Sequence, residues 1–162
     1  MGIPKYQKED QIIRWMDAKG MAYFRPMAIV KTEIHHRLGG KPPVKLVTKK
    51  PLFPGYLCFC GEMQARIDCR DSGRFSSFIE IPQQQLFVKQ LTQFEAAIKI
   101  NPRLGMGPTP KKGARMRVAS GIWQGYEGVF VRVDKHGKFY ITLDAMSQAA
   151  ELEIDAARLE PI

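Results

Sequence analysis

Residues 51–60 read Pro-Leu-Phe-Pro-Gly-Tyr-Leu-Cys-Phe-Cys, and the interpretation of the whole chain depends on this stretch. A rigid proline-glycine lead-in runs into an apolar segment that is predicted to be a strand. Tyr56 and the two cysteines point to one face of that strand, whereas Leu57 and Phe59 point to the other. A strand that is apolar on both faces is either fully buried or keeps one face for a partner.

The overall composition is that of a globular protein. The chain has 162 residues, 44% of them hydrophobic, which is enough for one ordinary domain or two small ones. No apolar run approaches the roughly 18 residues of a membrane helix, and no signal-peptide pattern opens the sequence. We therefore expect a soluble, cytoplasmic protein without membrane contact. Three crowded cysteines do not make a disulfide framework, so reduced thiols are expected.

The positive charge is concentrated in the first part of the chain. The net charge is +9, and residues 1–104 hold 17 Lys and Arg against 9 Asp and Glu. Residues 105–162 hold 8 against 7 and are nearly neutral. A basic excess favours polyanionic partners, so any contact with nucleic acid is expected mainly in the first part.

The N-terminal part predicts helices on one face of a mainly antiparallel sheet. A helix is predicted over residues 6–19, with Ile12 and Met16 on its buried face and Gly20 at its end. Residues 22–32 are β-rich but broken by Pro26, and residues 33–50 read as a long basic hairpin or loop. A short polar segment at 62–71 and a strand at 75–81 follow residues 51–60.

A second helix and a separate β-domain complete the prediction. The helix begins at Pro82 and carries an apolar stripe, which we expect to pack on the N-terminal sheet. This stripe consists of Phe87, Leu91, Phe94 and Ile98. The proline- and glycine-rich residues 101–112 predict a linker. Beyond it, period-two alternation predicts five short strands of a small all-β barrel, at 116–118, 129–133, 139–143, 152–154 and near 158–159, with a turn at 134–137. The predicted domains are thus 1–100 and 113–162, giving an α+β fold followed by the barrel.

The loop between the first two predicted barrel strands has an unusual glycine spacing. Two glycines permit a tight loop that needs positive φ, and a third lets the chain pass close to the next strand. This arrangement resembles a KOW motif, which is found in ribosomal proteins and transcription factors. The residues that carry the resemblance are Gly121, Trp123, Gly125, Tyr126 and Gly128.

The whole chain resembles the NusG family of transcription elongation and antitermination factors. The resemblance rests on Phe-Pro-Gly-Tyr at 53–56, the proline-glycine linker and the C-terminal SH3-like (KOW) barrel. It implies an N-terminal NGN domain, and the short segment 61–82 suggests a specialised paralogue. In one respect the sequence departs from the family. A strand usually precedes the first helix, whereas only residues 1–5 do so here, so we expect either that this strand is missing or that the natural protein begins earlier than the chain as given.

The resemblance implies a binding protein and not an enzyme. The N-terminal domain would bind the clamp helices of the large RNA polymerase subunit and limit pausing or termination, and the barrel would recruit a ribosomal protein or Rho. A cofactor-free monomer is expected. The implied polymerase contacts are Leu52, Phe53, Pro54, Gly55, Tyr56 and Leu57. The candidates for contact with upstream or non-template DNA are Lys31, Arg37, Lys41, Lys45, Lys49 and Lys50.

Plainer interpretations stay open for each of these features. Without the resemblance, Phe53 and Tyr56 are more typical of core packing behind a turn, and the lysines are by default those of a solvated loop. An RNA-binding or ribosome-associated KOW module is the alternative function. His35, His36 and the cysteines lack the spacing of a zinc site, so no metal is expected. No catalytic constellation stands out.

Overall fold

The computed structural model describes residues 1–5, 8–34, 44–133 and 136–162 and confirms a mixed α+β architecture. Three helices lie within these ranges: α1 (Glu9–Ala18), α2 (Met63–Asp71) and α3 (Gln84–Ile100). None of the helices in this described part of the chain has the length and apolarity needed to cross a membrane. The strands of the first half are β1 (Gly2–Pro4), β2 (Ala22–Phe24), β3 (Met27–Ile34), β4 (Val44–Pro51), β5 (Cys58–Cys60) and β6 (Phe75–Phe78). Those of the second half are β7 (Gly107–Pro108), β8 (Ala114–Val118), β9 (Glu127–Val133), β10 (His136–Leu143), β11 (Gln148–Leu152) and β12 (Leu159–Pro161).

The chain divides into two compact units that do not coincide with the predicted domains. The first unit comprises Met1–Pro26 and Pro51–Pro82, and the second comprises Met27–Lys50 and Gln83–Ile162. The hairpin strands β3 and β4 and helix α3 therefore group with the C-terminal strands and not with the remainder of residues 1–100. The predicted boundaries stay a prediction about which parts fold on their own.

The first unit contains the strand that the sequence analysis expected to be missing. Strand β1 pairs antiparallel with β6, and β2 pairs antiparallel with β5. Gly2 and Leu57 join these two pairs, since each donates its N–H to the carbonyl of the other at 2.9 Å. The expected absence of a first strand is thus wrong. Three residues are enough for backbone pairing with a neighbouring strand. A strand this short carries no apolar alternation by which it could be recognised in the sequence.

A β-bulge concentrates aromatic rings on one face of this sheet. Gly2 pairs with Phe78 and Pro4 pairs with Phe75, so both phenylalanines share a face although three positions separate them. Their ring centroids lie 5.2 Å apart. Gly2 is required there, because a Cβ at this position would stand 2.5 Å from the Phe75 ring.

Helices α1 and α2 supply the rest of the first core. Ile12 and Met16 of α1 are fully buried, as the helical spacing predicts, and pack with Leu57, Cys69 and Phe75. The helix itself begins at Glu9 and ends at Ala18, within the predicted range of 6–19. Because these side chains contact Leu57 and Phe75, the helices cover the sheet face that carries them.

Residues 51–60 are not one continuous strand. Strand β4 ends at Pro51, residues 52–55 form bends and a turn, and β5 comprises only Cys58–Cys60. Gly55 has a φ of +81°, which a strand does not accommodate. The Pro-Gly pair is a turn signal, and here it lies in the turn that separates β4 from β5.

The second unit is built on a six-stranded antiparallel sheet, the C-terminal sheet. Its strand order is β12-β8-β9-β10-β11-β7. The predicted strands at 116–118, 129–133 and 139–143 are confirmed, and the next one is β11, which ends before Ile154. Phe139, Ile141 and Leu143 are fully buried at alternate positions of β10. The predicted turn between β9 and β10 includes residues 134–135, which lie outside the described residues.

Residues 101–112 are more strongly held than a linker. The Pro102 carbonyl accepts a hydrogen bond from the Ile29 N–H at 2.6 Å, and Leu104 is buried. Strand β7 adds Gly107 and Pro108 to the edge of the C-terminal sheet by pairing with β11. The proline-glycine composition indicates an irregular backbone, but it does not show that the segment lacks contacts with the rest of the second unit.

Helix α3 differs from the prediction in both its buried face and its partner. Only Phe94 of the predicted apolar stripe is fully buried, and the other deeply buried positions are Gln90 and Ala97. The helix contacts β10 of the C-terminal sheet. The apolar stripe does not predict this orientation of the helix, because one of the buried positions is occupied by Gln90, whose side chain is hydrogen-bonded.

Candidate functional site

The turn formed by residues 52–57 is fixed by contacts from distant parts of the first unit. The Leu52 N–H donates to the Pro26 carbonyl at 2.8 Å, and the Tyr56 N–H donates to the Phe53 carbonyl at 3.2 Å. At its end Leu57 is bound to Gly2 of β1. The backbone of this turn is therefore held at both ends and across its middle.

The predicted polymerase contacts are divided between the core and the surface. Leu52, Phe53 and Leu57 are only 4%, 3% and 2% exposed. Their expected exposure on a spare apolar face is wrong, because the alternation of a strand does not apply across a turn. Pro54 is exposed, and Gly55 and Tyr56 are half-buried. The surface that this turn offers to a partner is thus 54–56.

Glu9 positions this turn, and the sequence analysis did not identify it. One carboxylate oxygen of Glu9 accepts the Gly55 N–H at 3.2 Å, and the other lies 3.4 Å from the Arg25 guanidinium. Arg25 also binds Asp10 at 2.8 Å. The first turn of α1 contains two acidic residues, Glu9 and Asp10, as is typical of helix N-termini. Nothing in the sequence around them indicates a contact with Gly55.

The described lysines of the β3–β4 hairpin point into solvent. Lys31 lies on β3, and Lys45, Lys49 and Lys50 lie on β4; all four are exposed. Among the residues that the structure describes, Lys31, Lys49 and Lys50 form no ion pair. Arg37 and Lys41 lie outside the described residues, as do His35 and His36, so those predictions stay untested.

Exposed aliphatic side chains accompany these lysines on β4. Leu46 is 44% exposed and Val47 is 58% exposed. Val47 shares a strand face with Lys45 and Lys49, because residues two apart in a strand point the same way. The hairpin therefore presents a mixed cationic and aliphatic surface, which the charge pattern indicated only in part.

The loop between β8 and β9 has the backbone that its glycines predict. Gly121 and Gly125 have φ values of +94° and +83°. A Cβ on Gly128 would stand 2.1 Å from the Tyr140 carbonyl oxygen, so this strand passes β10 too closely for any side chain. The positive φ predicted for Gly121 and Gly125 is confirmed, and the close approach at Gly128 is to β10.

The aromatic residues of this loop pack on each other. Trp123 is 8% exposed and makes an edge-to-face contact with Tyr126, with 5.4 Å between ring centroids. Burial raises the pKa of the Tyr126 phenol, whose oxygen has no hydrogen-bond partner among the described residues. The Trp123 ring is thus largely packed within the loop. The exposed apolar residue of the loop is Ile122, at 71%, which the sequence analysis did not single out.

A cavity of about 290 Å³ opens beside this loop. The loop contributes Ile122 and Trp123 to its lining, and the segment between β11 and β12 contributes Glu153, Ile154 and Arg158. The Arg158 guanidinium occupies the space that a side chain on Gly121 would need. The cavity combines apolar walls with charges of both signs.

The three cysteines are free thiols with different environments. Burial raises the pKa of Cys58 to about 11 and also raises the pKa of Cys69. Both therefore stay protonated and poorly nucleophilic at neutral pH. Cys60 is exposed on β5. Within the described ranges no three His, Cys, Asp or Glu side chains are grouped as metal ligands.

Comparison with known proteins leaves the site to be interpreted from its own chemistry. No protein-family model matches the chain, and a search of curated proteins finds no match.

Proposed function

We propose that the chain is a transcription elongation or antitermination factor that binds RNA polymerase through its N-terminal part. One combination supports this proposal most. A Phe-Pro-Gly-Tyr turn stands in a helix-covered antiparallel sheet, and an antiparallel C-terminal sheet carries a loop whose glycines adopt the expected geometry. The chain acts by binding, without chemistry or a cofactor.

The polymerase contact is centred on the exposed side of the 52–57 turn. The Tyr56 ring is half-buried, and the backbone of the turn around it is held in place by hydrogen bonds to Gly2, Glu9 and Phe53. A pre-ordered aromatic residue contributes contact area with little loss of conformational entropy, which is why such residues dominate protein interfaces. Leu52, Phe53 and Leu57 then act by supporting this turn from within the core.

Binding of purified RNA polymerase to the full chain tests this proposal. Tyr56→Ala is expected to weaken binding at least about tenfold, the loss typical of an interface hot spot. Val88→Ala is the matched control, because Val88 is an exposed apolar residue of α3, at 60%, outside the proposed contact. Equal affinity of the wild type and Tyr56→Ala would contradict the assigned contact, and an absence of polymerase binding by the wild type would contradict the function.

The hairpin lysines are proposed to contact upstream or non-template DNA. Lys31, Lys49 and Lys50 are exposed and form no ion pairs among the described residues, so they can approach phosphates without breaking an existing interaction. Such binding is weak, tolerant of sequence and sensitive to salt.

The salt dependence of single-stranded DNA binding measures this contact directly. For Lys49→Gln with Lys50→Gln, the slope of log K against log salt is expected to fall by about 0.7 for each phosphate that is no longer neutralised by a lysine. Lys111→Gln with Lys112→Gln is a matched pair of adjacent, exposed lysines outside the hairpin. An equal decrease in slope for both pairs would show that the binding is general and not located in the hairpin.

The C-terminal sheet is proposed to recruit a further protein, for which a ribosomal protein and Rho are the two candidates. The exposed Ile122 and the adjacent cavity offer an apolar contact at the β8–β9 loop. The alternative of an RNA-binding module is less favoured, because residues 105–162 are nearly neutral and RNA affinity depends on phosphate neutralisation. RNA affinity that persists in the Lys49→Gln, Lys50→Gln variant would support that alternative.

A further inference from the structure

The β3–β4 hairpin carries more than half of the net positive charge of the chain. Residues 27–51 contain six Lys or Arg against one Glu, which is +5 of the +9. Lys31, Lys49 and Lys50 are exposed and form no ion pair within the part of the chain that the structure describes. Charge concentrated in this way is typical of a surface that binds a polyanion.

Strand β4 is the outer strand of this hairpin. On β3, Ala28 is buried, and the Ile29 N–H donates to the Pro102 carbonyl at 2.6 Å, so β3 lies against the rest of the second unit. Among the described strands, β4 pairs only with β3. The outer edge of β4 is therefore not covered by another described strand.

Both faces of β4 combine aliphatic and cationic side chains. Val47 shares one face with Lys45 and Lys49. Leu46 shares the other face with Lys50. All five side chains are exposed. A partner on one face would leave the side chains of the other face in water, whereas a groove encloses both faces.

The dimensions of β4 fit the major groove of duplex DNA. A sheet with side chains on both faces is about 10 Å thick. The major groove of B-DNA is about 12 Å wide and admits a two-stranded ribbon, whereas the minor groove is only about 6 Å wide. Because phosphates line both walls of the groove, lysines on both faces of β4 can each approach one.

The composition of the hairpin favours a duplex over a single strand. Proteins hold single-stranded DNA largely by stacking its bases on aromatic rings. Residues 27–51 contain no Phe, Tyr or Trp. Leu46 and Val47 are instead suited to the C5-methyl group of thymine, which is accessible in the major groove and takes apolar contacts.

We propose that β4 enters the major groove of upstream duplex DNA with its outer edge leading. Lys49 and Lys50 then face opposite walls of the groove, and Leu46 and Val47 contact thymine methyl groups. This inference rests on the proposed DNA contact of the hairpin and narrows that contact to a duplex. Because the apolar contacts read only methyl groups, the hairpin prefers A·T-rich DNA without recognising a defined sequence.

Binding of the full chain to duplexes that contain either thymine or uracil tests the methyl contact. The two duplexes differ only in the thymine methyl groups, so the phosphate contacts are the same. The wild type is expected to bind the uracil duplex about fourfold more weakly for each methyl group that it buries. Single-stranded DNA of the same sequence is expected to bind more weakly than the duplex. Duplex RNA is also expected to bind more weakly, because the A-form major groove is too deep and narrow for side chains.

A double variant locates the methyl contact in β4. Leu46→Ala with Val47→Ala is expected to bind both duplexes equally, with the affinity that the wild type has for the uracil duplex. Leu46 is 44% exposed and Val47 is 58% exposed, so both truncations are expected to leave the fold intact. Val88→Ala is the matched control, since Val88 is a valine of α3 that is 60% exposed. This control is expected to keep the preference of the wild type for thymine.

The possible outcomes separate groove entry from the DNA contact itself. Groove entry would be overturned if the wild type bound thymine and uracil duplexes equally, or bound single-stranded DNA or duplex RNA as tightly as duplex DNA. A thymine preference that persists in the double variant would also overturn it. In each of these cases the phosphate contact would stand. Duplex binding that is unchanged in Lys49→Gln with Lys50→Gln would instead contradict the proposed DNA contact.

Discussion

The turn at 52–57 and the loop between β8 and β9 both depend on glycines with positive φ, but they are stabilised in different ways. Within the loop, Trp123 and Tyr126 contact each other, so the packing of its aromatic rings arises among near neighbours in sequence, although the distant Arg158 lies against Gly121. The turn is bound to Gly2, Glu9 and Pro26, which lie 26 to 55 residues away. The backbone conformation of the turn is set by its own residues, whereas the burial of its side chains depends on distant parts of the chain.

This difference explains why one prediction was confirmed and the other was not. Positive φ at Gly121 and Gly125 follows from the sterics of a tight loop, which the glycine spacing reveals. The exposure of Leu52, Phe53 and Leu57 depends on which distant segments fold over them, and a strand pattern does not include that information. Three experiments test the contrast between the turn and the loop.

The largest effect is expected from truncating Phe53. Phe53→Ala removes a ring that is 3% exposed, and we expect a loss of about 3–5 kcal/mol in the free energy of unfolding. Tyr56→Ala, three residues later on a half-exposed side chain, is expected to cost less than about 1 kcal/mol. Urea unfolding of both variants checks this. Equal, small losses would mean that the turn is peripheral to the core.

A smaller effect is expected from adding one methyl group in the C-terminal sheet. Gly128→Ala places a Cβ 2.1 Å from the Tyr140 carbonyl oxygen, which can retreat only if the backbone shifts. We expect a loss of about 1–3 kcal/mol, measured by thermal or urea unfolding. Gly105→Ala is the control, since no atom lies within 4 Å of the added Cβ. A Gly128→Ala protein as stable as Gly105→Ala would refute the close approach of β9 and β10.

The smallest effect is expected from pH. The pKa of Glu127 is lowered from its ordinary value of 4.5 by hydrogen bonds from Lys89 and Arg117. A group whose pKa is lower in the folded state stabilises the fold above the unfolded value, and this contribution is lost as the pH falls through the folded pKa. Glu127→Gln is therefore expected to be less stable than the wild type at pH 6–7, with the difference shrinking below about pH 4.5. A difference that does not change with pH would contradict the charge assignment.

The local features of the fold were largely predictable. Ile12 and Met16 of α1 are buried as their spacing predicts, and the alternation of Phe139, Ile141 and Leu143 marks one face of β10. These patterns are periodic, and the periodicity of a helix or strand is set by the backbone alone. The Pro-Gly pair at 54–55 also carried a correct local signal of a turn, which the apolar run around it obscured.

The candidate site was predictable only in part. The lysines of β3 and β4 are exposed, as their charge indicates, but Glu9 and its bond to Gly55 have no local signature. Gln90 and Gln93 are not indicated by the sequence, because a buried helix face is recognised there by its apolar residues. A glutamine is recognised as a buried contact only when its backbone partners, here Glu127 and Asp144, are known.

The order of most helices and strands, the glycine geometry of the β8–β9 loop and the concentration of charge in residues 1–104 can all be read from the sequence. Each of these depends on sterics, hydrogen-bond periodicity or composition within a short window of chain. The formation of β1, the burial of Phe53 and the packing of α3 on the C-terminal sheet are visible only in the folded chain. These outcomes depend on pairings between residues that are far apart in sequence, where a short segment gains stability only from the surface that it meets.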